Sequence, residues 1–178
     1  MLKITIPASE QYNSETNTFF TTKEQHLSLE HSLLSISKWE SKWKKPFLSK
    51  DDKTYEESID YVRCMTITQN VDPLAYYSIK DAQLKQILDY IQDPMTATWF
   101  SEKKPPSREI ITNEIIYYWM TALNIPFSCE KWHLNRLLTL IRVCSEKNQP
   151  PKKMKRGDIL RSNQALNAAR RKAHHTRG

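Results

Sequence analysis

Glycine is almost missing from this chain: Gly157 and Gly178 are the two in 178 residues. Glycine-rich phosphate loops need several, because only glycine lets backbone N–H groups close in on phosphate oxygens, so the P-loop and the dinucleotide fingerprint are excluded. Cysteine is scarce too. Cys64, Cys129 and Cys144 are odd in number and far apart, which argues against a secreted disulfide framework and for a reducing compartment. Long apolar runs are also lacking. Nothing approaches the roughly 18 to 20 apolar residues that cross a bilayer, and MLKITIPASE has no signal-peptide core, so a soluble, cytoplasmic protein with no membrane partner is expected.

What is present is one domain's worth of chain, with five Trp and eight Tyr to fill a core without disulfides. The net charge is +7, and its placement matters more than its size. Residues 146–178 hold ten Lys and Arg against Glu146 and Asp158, a surplus of eight, whereas the rest of the chain has seventeen basic and eighteen acidic residues. Between them Lys147, Gln149, Pro150 and Pro151 have the look of a linker. The expected organisation is therefore a mostly helical core over 1–145 and a basic linker and helical arm over 146–178.

The fold class expected is mainly α, as α+β. Leu2, Ile4 and Ile6 alternate with polar residues up to Pro7, and Thr18 to Thr22 is β-favouring, which predicts a strand, a loop over Ser9 to Asn17, and a partner strand. From Leu27 the period changes. Leu29, Leu33, Ile36, Trp39 and Trp43 follow one helical face that stops before Pro46. Thr54 with Glu57 has capping-box spacing, opening a helix to about Met65 with Ile59 and Val62 inward. Leu84, Ile87, Leu88 and Ile91 are spaced for a helix ending before Pro94. Thr96 to Phe100 and Arg108 to Ile111 are compatible with a second short hairpin. Ile115, Tyr118, Trp119, Ala122 and Leu123 trace a further helix, with Thr112 a candidate cap. Ser128 can cap a central helix from Trp132 through Cys144, and Asp158 to Ala173 can form a last helix with few apolar positions.

No catalytic, metal or cofactor set emerges. Cys129 and His133 stand at i, i+4, but two ligands are short of the three or four that zinc takes. Paired carboxylates such as Glu56 and Glu57 sit at a predicted helix start, where the backbone dipole already favours them. Trp39, Trp43 and Phe47 stand among Lys38, Lys42, Lys44 and Lys45. Their helical spacing suits core packing, whereas the mixture of rings and cations suits an exposed contact surface. The arm offers Lys152, Lys153, Lys155, Arg156, Arg170, Arg171 and Lys172 as contacts to an acidic partner or to phosphates.

Three stretches resemble the tail assembly chaperones of long-tailed bacteriophages. They are LSLEHSLLSISKWESKWKKPFLS at Leu27 to Ser49 with YVRCMT at Tyr61 to Thr66, MTATWF at Met95 to Phe100, and EIIYYWMTALNIPFSCEKWHLNRLLTLIRV at Glu114 to Val143. The basic KKMKRGDIL and LNAARRK segments follow the third. The resemblance implies a non-enzymatic protein, made in the host cytoplasm during virion assembly. It would bind the tape-measure protein and keep it soluble until tail-tube subunits polymerise around it. It also implies that a frameshifted, extended product can exist. On this reading the surface near Trp39, Trp43 and Phe47 holds a partner helix, and the arm contacts other tail proteins or further copies of the chain. Two alternatives remain: a structural virion subunit of the tail or head-tail junction, and a nucleic-acid-binding module that uses the arm.

Overall fold

The computed structural model describes residues 1–13, 17–100, 110–150 and 156–174. It is an α+β protein that divides into two units, Met1–Glu146 and Lys147–Gly178.

The first unit opens with a β-arm. Strand β1 (Leu2–Ile6) pairs antiparallel with β4 (Gln25–Leu29), and β2 (Ser9–Asn13) with β3 (Thr18–Thr22). Both pairs keep a single register, Leu2 opposite Leu29 and Ser9 opposite Thr22. The four strands are thus one long hairpin with its ladder interrupted at Pro7 and Ala8, where proline supplies no N–H to pair. Two sequence expectations are corrected here. The partner of Leu2–Ile6 is Gln25–Leu29 and not Thr18–Thr22, and Ser9–Asn13 is a strand and not a loop. The pleat explains why Leu27 and Leu29 leave the helix to which they were assigned: at spacing two they join Ile4 and Ile6 on one buried face.

Helix α1 (Leu33–Trp43) begins instead after Ser32, whose extended backbone and hydroxyl, accepting from the Ser35 N–H, make an N-cap. Leu33, Ile36 and Trp39 are buried along it. It ends with Lys44 at φ 55°, a left-handed C-cap before Pro46. Helix α2 (Tyr55–Met65) carries the complete capping box, with Thr54 accepting from the Glu57 N–H and Glu57 from the Thr54 N–H. A 3-10 turn (Ala75–Ser78) leads to α3 (Asp81–Gln92), which stops before Pro94.

No strand forms over Thr96 to Phe100, and 101–109 lies outside the described residues, so a second hairpin there is not seen. Helix α4 (Asn113–Ala122) buries Asn113, Ile116 and Met120, while Tyr118 is 69% exposed. This turns the helix away from the expected Ile115-Tyr118-Trp119-Ala122 seam. A helix that is apolar on most sides does not specify its own inner face, and here the contact with α1 decides it. Thr112 occupies the N-cap position without a side-chain capping bond. Ser128 is no cap but lies inside a 3-10 turn (Phe127–Lys131), and α5 (Leu134–Lys147) starts later. There His133 takes the capping role, its Nδ1 accepting from the Asn135 N–H at 3.3 Å.

The second unit contains α6 (Arg156–Ala173), which buries none of its residues. Among the described residues no helix is long and apolar enough to cross a membrane.

Candidate functional site

Helices α2 and α3 each carry a stripe at i, i+3, i+4 and i+7, apolar throughout on α3 and apolar save for Ser58 on α2, the spacing that places four side chains on one face. On α2 it is Tyr55, Ser58, Ile59 and Val62; on α3 it is Leu84, Ile87, Leu88 and Ile91. The two stripes line a groove of about 490 Å³ together with Phe47, Lys53 and Tyr61. Ile59, Val62 and Ile87 are buried, whereas Tyr55 at 56% and Leu88 at 55% are exposed. The hydrophobic core therefore continues into the groove, and its outer residues face solvent.

One side of the groove is aromatic. Phe47 stacks at 4.0 Å between ring centroids on Tyr61 and meets Trp39 edge-on at 5.2 Å. Of the aromatic triad singled out from the sequence, then, Phe47 lines the groove. Trp39 is 1% exposed and supports it from within, with its indole N–H donating to the Glu57 carbonyl at 2.8 Å. Trp43, in contact with Trp39 at 6.2 Å, is half-buried and donates to Asp60 at 2.9 Å. Two of the four neighbouring cations are engaged: Lys42 pairs with Asp60 and Lys45 with Glu57, each at 2.5 Å. The Lys45 ammonium, then the Thr54 N–H, holds the Glu57 carboxyl below its ordinary pKa. These lysines fasten α1 and its following turn to α2, and with Trp39 inside the core the triad makes no open surface for stacking bases.

Behind the groove lies a polar cluster without a catalytic arrangement. His31 and His133 meet edge-on at 5.1 Å. The His31 Nδ1 is 2.5 Å from the Tyr61 hydroxyl, and the His133 Nε2–H donates to the Tyr90 carbonyl at 3.0 Å. Burial, and then the other imidazole, pushes His31 down to about 3. Burial lowers His133 as well. Both rings are neutral at physiological pH and tie the end of the β-arm, α2, α3 and the start of α5 together. Both nitrogens of His133 have protein partners, and Cys129, buried in its 3-10 turn, does not share a helix with it. Among the described residues no three His, Cys, Asp or Glu side chains group as metal ligands. Burial, then the Asp60 carboxylate, pushes the Cys64 thiol up to about 11, so it stays protonated and weakly nucleophilic at neutral pH.

Lys152, Lys153 and Lys155 lie outside the described residues. Arg156, Arg170, Arg171 and Lys172 are exposed on α6, in the other unit. Of the groove walls, the sequence shows Leu84, Ile87, Leu88 and Ile91 as a helical stripe and Ile59 and Val62 as inward positions, but not Tyr55 and Ser58 beside them. Periodicity reports which face is apolar, not whether another layer covers it.

In comparisons with known proteins, no family model, curated protein or solved structure matches this chain.

Proposed function

We propose that this protein is a non-catalytic assembly factor that holds an amphipathic helix of a larger partner. In keeping with the resemblance to tail assembly chaperones, the partner is a phage tape-measure protein, kept soluble in the host cytoplasm until tail-tube subunits enclose it. The observation that carries the reading is the groove between α2 and α3, whose outer residues Tyr55 and Leu88 are exposed. Two facing stripes with i, i+3, i+4, i+7 spacing form the kind of surface that receives the apolar face of a helix, and a long helical partner presents such faces repeatedly. Binding there removes from water the residues that would otherwise drive the partner to aggregate.

Co-expression of the full chain with a tape-measure fragment is the test. The fragment moves from the insoluble to the soluble fraction and co-purifies with the chain. A fragment that stays insoluble, or soluble without association, overturns the proposal.

A second reading, nucleic-acid binding through the arm, is favoured by α6 alone. That helix has five cations against Asp158 and no buried residue. Phosphate contacts would make affinity for DNA or RNA fall steeply with salt, and binding that is absent at low salt eliminates this reading.

A further inference from the structure

Lys53 is the only charged side chain among the described residues that line the α2–α3 groove. Its ammonium sits over two aromatic faces, 4.6 Å from the Phe47 ring centre and 5.8 Å from that of Trp39. Lys42 and Lys45, in contrast, close on Asp60 and Glu57. Among the described residues no carboxylate lies within the 4.0 Å ion-pair distance of the Lys53 ammonium. Asp51, Asp52 and Glu56, close in sequence, are exposed and line no part of the groove. Lys53 precedes the Thr54 cap, so it stands where the positive end of the α2 dipole adds to its charge.

A cation held on ring faces at the edge of an apolar groove is partly dehydrated, with its remaining hydrogen-bonding capacity directed outward. A ligand that fills the groove with apolar side chains removes more of that water. The ammonium then needs a counter-charge from the ligand, because a dehydrated and unpaired charge is unfavourable.

We propose that Lys53 selects the occupant of the groove: an amphipathic helix whose apolar stripe is flanked at one end by a carboxylate that pairs with the Lys53 ammonium. The proposal rests on the helix-binding reading of the groove and adds the charge of the partner to it. The walls provide affinity for any apolar stripe, and Lys53 fixes which way the helix lies and which stripe is accepted. A helix with a lysine at that end meets like charge in a poorly hydrated place and is rejected.

The test uses three synthetic helical peptides with leucines at i, i+3, i+4 and i+7. They differ only one turn beyond the stripe, where they carry glutamate, glutamine or lysine. Dissociation constants are measured by fluorescence anisotropy with the full chain and with its Lys53→Gln and Lys53→Glu variants. The unaltered chain binds the glutamate peptide roughly three- to ten-fold tighter than the glutamine peptide, the range from partly exposed to dehydrated ion pairs. Lys53→Gln removes that preference, and Lys53→Glu transfers it to the lysine peptide. Circular dichroism confirms that both variants are folded. The same ranking of peptides in all three proteins overturns the proposal, as does failure of the unaltered chain to bind any peptide. If a tape-measure fragment is kept soluble irrespective of Lys53, the assembly reading stands and the charge rule falls. If the peptides obey the charge rule but the fragment stays insoluble, the groove takes an acidic helix of another protein.

Discussion

Glu40 illustrates how a single residue can be misread without its long-range partners. In the sequence it looks like a surface carboxylate that breaks up a basic stretch. In the fold it is 7% exposed and accepts three hydrogen bonds, from the Phe47 N–H at 2.7 Å, the Asn113 N–H at 2.8 Å and the Asn113 side-chain amide at 2.5 Å. It satisfies the first backbone donor of α4 and anchors the turn that carries Phe47. No local pattern announces this, because Asn113 is 73 residues away. Glu57, in contrast, was legible, since both halves of its capping box lie within one turn. Glu40→Ala strands buried N–H donors and is expected to cost about 2–3 kcal/mol in urea unfolding. Glu40→Gln keeps an acceptor and costs less.

Histidine gives a second prediction at this scale, with its sign fixed by burial. His31 titrates at about 3 in the fold and near 6.5 when unfolded. The unfolded chain therefore binds more protons between these values, and stability rises with pH across that window. The contribution is complete above pH 6.5 and is lost as the pH falls, by at most ~1.4 kcal/mol per pH unit. Urea midpoints measured from pH 7 to pH 5 should decline, and less steeply in His31→Gln. Equal slopes would show that His31 protonates freely in the folded protein.

At the scale of elements, what was legible depended on whether one period dominated. Helix α2 has a cap, a stripe and a following Thr66, and its bounds follow from them. The segment around Leu27 to Trp43 satisfies two periods at once. Leu27 and Leu29 fit a strand, Leu29 and Leu33 fit a helix, and Ser32 divides them only because its hydroxyl caps α1. Pairing of Leu27 with Ile4 and of Leu29 with Leu2, more than twenty residues back in the chain, settles the matter. The groove belongs to this scale as well, since it is a property of two helices and not of either alone. Leu88 is 55% exposed at its rim, so Leu88→Asp should leave thermal unfolding nearly unchanged. Removing a contact worth ~1.5–3 kcal/mol and placing a charge among apolar groups should weaken peptide binding at least about ten-fold. Anisotropy titration with the leucine-stripe peptides checks it.

For the whole molecule, composition alone indicated where the chain changes character. The stretch after Ser145 is polar and proline-broken, with a surplus of cations beyond it, and the structure divides between Glu146 and Lys147. Among the described residues every member of the hydrophobic cluster lies before that point, from Leu2 to Cys144, and α6 buries nothing. A chain ending at Glu146 is therefore expected to unfold within about 2 °C of the full chain, since surface changes away from packed groups have small effects. Scanning calorimetry reads this directly. Loss of cooperative unfolding in the shortened chain would mean that the arm is part of the core's stability. What composition did not indicate is the groove on the first unit. The most conspicuous aromatic residues, Trp39 and Trp43, turn out to brace the groove while plainer ones line it.

The proposed role of this protein depends most on that groove receiving a partner helix. Calorimetric titration of a tape-measure fragment, held soluble in mild denaturant, into the full chain and into Leu88→Asp puts this to the test. Saturable binding to the full chain is expected, with at least about a ten-fold loss in the variant at an unchanged melting temperature. Equal affinity for the two folded proteins would contradict it.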